Sequence, residues 1–150
     1  MNYLSNLIKQ NNLLPADVII LRKKMFGMVN HFAVFLGFDR FKQPLFAANY
    51  TAGTKLIPYN ELMSFMQTLE PQSIQKFQGT ERDRQAAIKR ALSKLGEKDY
   101  DYLENNCEHY ATFVQNGEPR SPQAENAKEF GNVALGVLVF TALFSLLSDD

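Results

Sequence analysis

The stretch "NHFAVFLGF", residues 30–38, sets His31, Ala33, Phe35 and Gly37 on one face of an extended chain and Phe32, Val34 and Leu36 on the other. That period of two marks a β-strand. Downstream, "DRFKQ" reads as a hairpin connection and "PLFAANY" (44–50) as the returning strand, with a Gly53 turn and "TKLIPY" continuing an antiparallel meander. Upstream, Pro15 and Asp17 mark a turn before the strand "VIILR", and residues 1–13 form a short helix or loose lead-in. Asn60 is placed to cap a helix whose stripe of Leu62, Phe65, Met66 and Leu69 ends before Pro71. "SIQKF" follows as a short strand. Residues 81–95 make the clearest amphipathic helix, with Ala87, Ile88, Ala91, Leu92 and Leu95 inward and Gly96 as its stop. The pattern predicts an α+β fold: an antiparallel sheet packed against helices.

A chain of 150 residues suffices for one domain with a substantial core. At 45% hydrophobic and 21% charged residues, it is not a disordered sequence. Sixteen basic and sixteen acidic residues cancel, so no overall field favours nucleic acid as a partner. The single cysteine excludes an internal disulfide framework and fits a reducing compartment. The first residues lack the pattern of a secretory signal. Residues 119–129, polar and Pro-containing, read as a linker. Residues 130–148, "FGNVALGVLVFTALFSLLS", carry no charge and would give about 28 Å of helix, near the thickness of a bilayer core. Apolar residues on every side favour a membrane anchor there over a buried core helix.

"NNCEHYATFV" (105–114) has helix-start chemistry. Asn105 with Glu108 resembles a capping box, and Asn106 is an equal candidate for the cap. Cys107 then lies in the first turn, where free N–H groups and the helix dipole favour a thiolate. Against a nucleophile stands the ordinary fate of a lone cysteine, a small buried hydrophobe. His109, two residues on, is rotated by about 200° and is a poor base for Cys107. Two histidines and one thiol fall short of a metal-ligand set. His31 is the other group suited to accept a thiol proton near neutrality, the alternative being a solvent-facing strand end.

"NNCEHYATFVQNGEPRSPQ" resembles the signature of the lecithin:retinol acyltransferase-like family, and "PADVIILR…NHFAVFLG" resembles its other half, a Pro-Gly-Asp strand followed by a histidine-led strand. Histidine strand first and cysteine helix last is the order of the circularly permuted NlpC-type branch of papain-like thiol enzymes. Arg120-Ser121-Pro122-Gln123 ahead of an apolar tail resembles the small phospholipase/acyltransferase members. The resemblance implies a domain over 14–118 without cofactor, with Cys107 as nucleophile and His31 as base. It also implies a thioester intermediate, an acyl-ester lipid substrate (a glycerophospholipid above all) and water, an amine or a lysolipid as acceptor. It further implies attachment to a phospholipid membrane through 130–148, with the catalytic domain on the cytoplasmic side. Relatives usually carry a second histidine about twelve residues after the first. Here that count reaches Gln43, and Asn49 on the returning strand is the stronger candidate to orient the imidazole, unless it merely ends its strand. An NlpC-type thiol peptidase or amidase, or a degenerate binding protein, are the alternatives.

Overall fold

The computed structural model describes residues 3–23, 30–101 and 103–133. Within them the chain runs α1 (Tyr3–Gln10), β1 (Val18–Lys23), β2 (Asn30–Phe38), β3 (Pro44–Tyr50), β4 (Gly53–Ile57), α2 (Tyr59–Thr68), β5 (Leu69–Gln75), α3 (Glu81–Ser93) and α4 (Cys107–Asn116). The strands form one antiparallel sheet in the order β4-β3-β2-β1-β5, with β2 at its centre. The alternation along β2 divides two cores. Ala33 and Phe35 join Ile19, Leu21, Phe46 and Ile57 beneath Leu4 and Ile8 of α1 and Leu62 of α2. Phe32 and Val34 join Val18 and Ala47 beneath Ala87 and Ala91 of α3 and Tyr110, Ala111 and Val114 of α4. Both faces of the sheet are therefore covered by helices, and each large side chain so buried contributes about 1.5–3 kcal/mol.

The turn before β1 is tied down by Asp17, a buried carboxylate. It accepts the backbone N–H of Leu14 and of Phe77 at 3.0 Å each and pairs with Lys76 at 3.0 Å. Ala16, where the family pattern has glycine, adopts the left-handed region with φ +72°.

Two local expectations are corrected. The cap of α2 is Pro58, with no side-chain hydrogen bond, rather than Asn60. Proline's fixed φ already suits the residue entering a helix. The strand expected at "SIQKF" begins earlier, at Leu69, and takes in Pro71. β5 is an edge strand, where a missing N–H is tolerated, and its register shifts opposite Ile20 and Leu21, beside Pro71.

The expectation of a membrane anchor, and of a membrane-anchored localisation built on it, is also corrected. Among the described residues no helix is long and apolar enough to cross a membrane. Residues 122–133 are helical, but this segment starts in charged sequence, with Glu125, Lys128 and Glu129, and Lys128 pairs with Glu104 at 2.5 Å. Positions 134–148 of the expected span lie outside the described residues.

Candidate active site

α4 begins at Cys107 because Asn106 caps it. The Asn106 side-chain oxygen accepts the N–H groups of Glu108 (2.9 Å) and His109 (3.1 Å). His109 Nδ1 accepts the Asn106 N–H in return, at 3.3 Å. The capping box thus pairs Asn106 with His109 and not Asn105 with Glu108, since an imidazole nitrogen accepts as a carboxylate does. Burial holds the His109 pKa below the ordinary histidine value, against the pull of Glu108 and Glu104, which suits a nitrogen used as acceptor. His109 lines a separate cavity of about 300 Å³ with Thr54, Glu97 and Phe113. Gly117, at φ +85°, ends the helix in the left-handed conformation that glycine adopts without strain.

The start of α4 enters a split in the sheet. Pairing of β2 with β3 runs from Phe38↔Pro44 to Val34↔Ala47 and goes no further. Continued, that register would set Asn49 opposite Phe32. Instead the segment leading into α4 lies between the strands. On the β3 side, Asn49 Nδ2 donates to the Asn105 carbonyl (2.9 Å) and to Asn105 Oδ1 (3.2 Å). On the β2 side, Cys107 Sγ lies 3.9 Å from the Asn30 carbonyl, and the Phe32 N–H is directed at the sulfur. Backbone groups that a longer ladder would pair are satisfied by the thiol and its neighbours.

At this split, residues of both helical layers reach one cavity of about 280 Å³. It is lined by Cys107, His31 and Asn49 together with apolar walls such as Leu21, Ala33 and Phe65. Three side chains singled out in the sequence are thereby brought together. Gln43 is not among them. It sits in the connection beyond Phe38, at the far end of β2 from His31, its N–H bonded to Asp39 at 2.8 Å.

The electrostatics depart from the helix-start expectation. Burial pushes the Cys107 thiol up, and the nearby Glu108 carboxylate adds to this; the N–H groups of Phe32, Cys107 and Glu108 pull the other way and are outweighed. Cys107 is 8% exposed. Asn49, also buried, has a carboxamide oxygen with no hydrogen-bond partner among the described residues. Its amide cannot simply be turned over, because its nitrogen faces two acceptors on Asn105, whose own nitrogen is committed to the Asp99 carbonyl at 3.0 Å. An orphaned buried acceptor costs stability unless something donates to it. Among the described residues no cluster of three or more His, Cys, Asp or Glu side chains is arranged to hold a metal ion.

Sequence reasoning missed the surroundings of Glu108, a buried carboxylate that accepts from Ser121 and Gln123. The signal is present in the Arg-Ser-x-Gln segment, which from sequence alone reads only as a lead to the apolar tail.

The family model described as lecithin retinol acyltransferase matches residues 11–120. The chain is 49% identical over 41 residues to lecithin retinol acyltransferase of Rattus norvegicus, covering 27% of this chain and 18% of that protein. It is 43% identical over 61 residues to phospholipase A and acyltransferase 1 of Homo sapiens, covering 38% of this chain and 36% of the relative. The matched segments thus span about a fifth of the first relative's length and little more than a third of the second's.

Proposed function

Since the chain belongs to the lecithin retinol acyltransferase family, we propose that it is a cysteine-dependent acyltransferase or phospholipase acting on acyl esters, glycerophospholipids in particular. The observation that carries this reading is the common cavity of Cys107, His31 and Asn49. Its walls are largely apolar, as an acyl chain requires, with a few polar groups among them. The names of both relatives, an acyltransferase and a phospholipase A and acyltransferase, agree with ester chemistry. The order of histidine strand and cysteine helix supports placing the domain with the permuted NlpC-type thiol enzymes.

In this reading the buried thiol is protonated at rest. His31 takes its proton as sulfur attacks the ester carbonyl, forming a C–S bond and a tetrahedral oxyanion. Backbone N–H groups at the first turn of α4, Cys107's among them, are candidates to stabilise that oxyanion. The C–O bond then breaks, the proton on His31 passes to the leaving alkoxide, and a lysolipid departs from the thioester. Water, an amine or an alcohol attacks the thioester in turn, with His31 again accepting and returning a proton. The unpartnered Asn49 oxygen is suited to accept an imidazole N–H and hold one tautomer.

Trapping tests the reading. The protein is incubated with phosphatidylcholine in mixed micelles, quenched in acid and mapped by mass spectrometry. An acyl group on Cys107, released by hydroxylamine, is the expected result; lysolipid release without any Cys107 adduct would refute a thioester. An adduct formed from an amide substrate but not from an ester would point to the amidase alternative.

Asn49→Ala is expected to lower kcat about tenfold or more while KM stays within about twofold, because the group holds the base and not the substrate. Steady-state kinetics on the purified variant check this, and a change confined to KM contradicts the role.

A further inference from the structure

Asn30 immediately precedes His31, and Glu108 immediately follows Cys107. One side chain connects them. Gln123 Oε1 accepts the Asn30 backbone N–H at 2.9 Å, a donor left without a β3 partner by the split. Gln123 is itself held by Glu108, whose Oε2 accepts the Gln123 N–H at 3.1 Å and its Nε2 at 3.3 Å. The same oxygen accepts the Ser121 hydroxyl at 2.5 Å, and Ser121 Oγ in turn accepts Asn106 Nδ2 at 3.2 Å and the Ala124 N–H at 3.1 Å. Glu108 is 7% exposed and Ser121 fully buried. Among the described residues no cation pairs with Glu108; its charge is held by neutral donors alone. Burying a carboxylate in this way is costly, and a short polar connection between β2 and α4 is what the cost sustains.

We propose that Gln123, fixed by Glu108 and Ser121, is a positioning residue that clamps the start of the His31 strand against the helix that presents Cys107. The proposal rests on the reading of Cys107 and His31 as the reacting pair. Without the clamp, the long contact of Cys107 Sγ with the Asn30 carbonyl (3.9 Å) is what remains, among the described residues, to hold Asn30 on the side where β3 has departed, and the strand end is free to move away from the thiol. A misplacement of about 1 Å at a reacting pair can cost about a hundredfold in rate.

The test uses the full chain and iodoacetamide, which reads Cys107 alone because the chain has no other cysteine. Alkylation rate is measured against pH for wild type, His31→Ala, Gln123→Ala and the exchanged pair Glu108→Gln/Gln123→Glu. The exchange reverses the pair, setting a donor at 108 to face an acceptor at 123 that can still take the Asn30 N–H. Wild type should show an inflection in the histidine range that His31→Ala lacks. Gln123→Ala should lose it as well, the exchange should restore it, and kcat on an ester should fall about tenfold or more in Gln123→Ala at unchanged KM. Gln123→Met, of similar volume, replaces the alanine variant if that does not fold. A Gln123 variant that keeps the wild-type profile and kcat overturns the clamp, whatever its Tm, as does a wild-type profile identical to that of His31→Ala. Absence of any acyl adduct together with the stated alkylation shifts would remove the proposed function and leave the clamp standing.

Discussion

Cys107→Ser is expected to lower ester turnover by at least about a thousandfold while the thermal transition moves by no more than a few degrees. The substitution is nearly isosteric, and the site suits a hydroxyl: the Asn30 carbonyl lies 3.9 Å from the sulfur and the Phe32 N–H faces it. A serine can draw closer and make both hydrogen bonds, so the fold loses little. Chemistry loses far more, because a hydroxyl gives up its proton much less readily than a thiol and His31 alone would have to compensate. Cys107→Ala separates the two possible roles of the side chain. If Cys107 were only a small hydrophobe in the core formed with Val18, Ala87 and Val114, alanine would preserve turnover. Lysolipid release followed by mass spectrometry is the measurement. Either variant retaining more than about a tenth of the wild-type rate is incompatible with a covalent thioester at this position.

What the chain reveals by itself follows from how local each signal is. The alternation in residues 30–38 shows which side chains share a face, and the two cores divide along it. The helix expected at 81–95 and observed at Glu81–Ser93 is equally local: Ala87 and Ala91 are buried as the spacing predicts, although Leu92 is exposed, and the Thr80–Asp83 capping box lies within the same short segment. His109 could be set apart from Cys107 by helix geometry alone, and it opens on a different cavity. The split between β2 and β3 could not be foreseen. It exists because the lead-in to α4, more than fifty residues along the chain, competes with β3 for Asn30 and Phe32, and no strand pattern encodes that competition. The thiol's electrostatics failed for the same reason. The helix amides are present as expected, but burial, which depends on the whole packed layer, outweighs them. The apolar run at 130–148 offered composition without context, and the helix that reaches it starts among charges.

His31→Ala is expected to lower turnover at neutral pH by about a hundred- to ten-thousandfold, whereas His109→Ala stays within about threefold of wild type. The difference follows from where the two imidazoles are. His31 shares the thiol's cavity, and His109 spends Nδ1 on the Asn106 N–H at the other side of the helix start. Losing His109 should cost about 1 kcal/mol of stability through the weakened cap, with little effect on rate. The pH dependence makes the contrast sharper. Because burial raises the Cys107 pKa above the ordinary thiol value, the thiolate fraction is small at neutrality and increases only as pH climbs past that raised value. Under the proposed mechanism wild type does not depend on that fraction, since His31 would remove the proton during attack. In His31→Ala the residual rate should therefore rise with pH through the alkaline range, where hydroxide supplies the thiolate, and fall away toward neutrality. Rate profiles for the three proteins decide the matter. Equal losses in the two histidine variants, or a His31→Ala profile parallel to wild type, would mean that the proton leaves the thiol by another route.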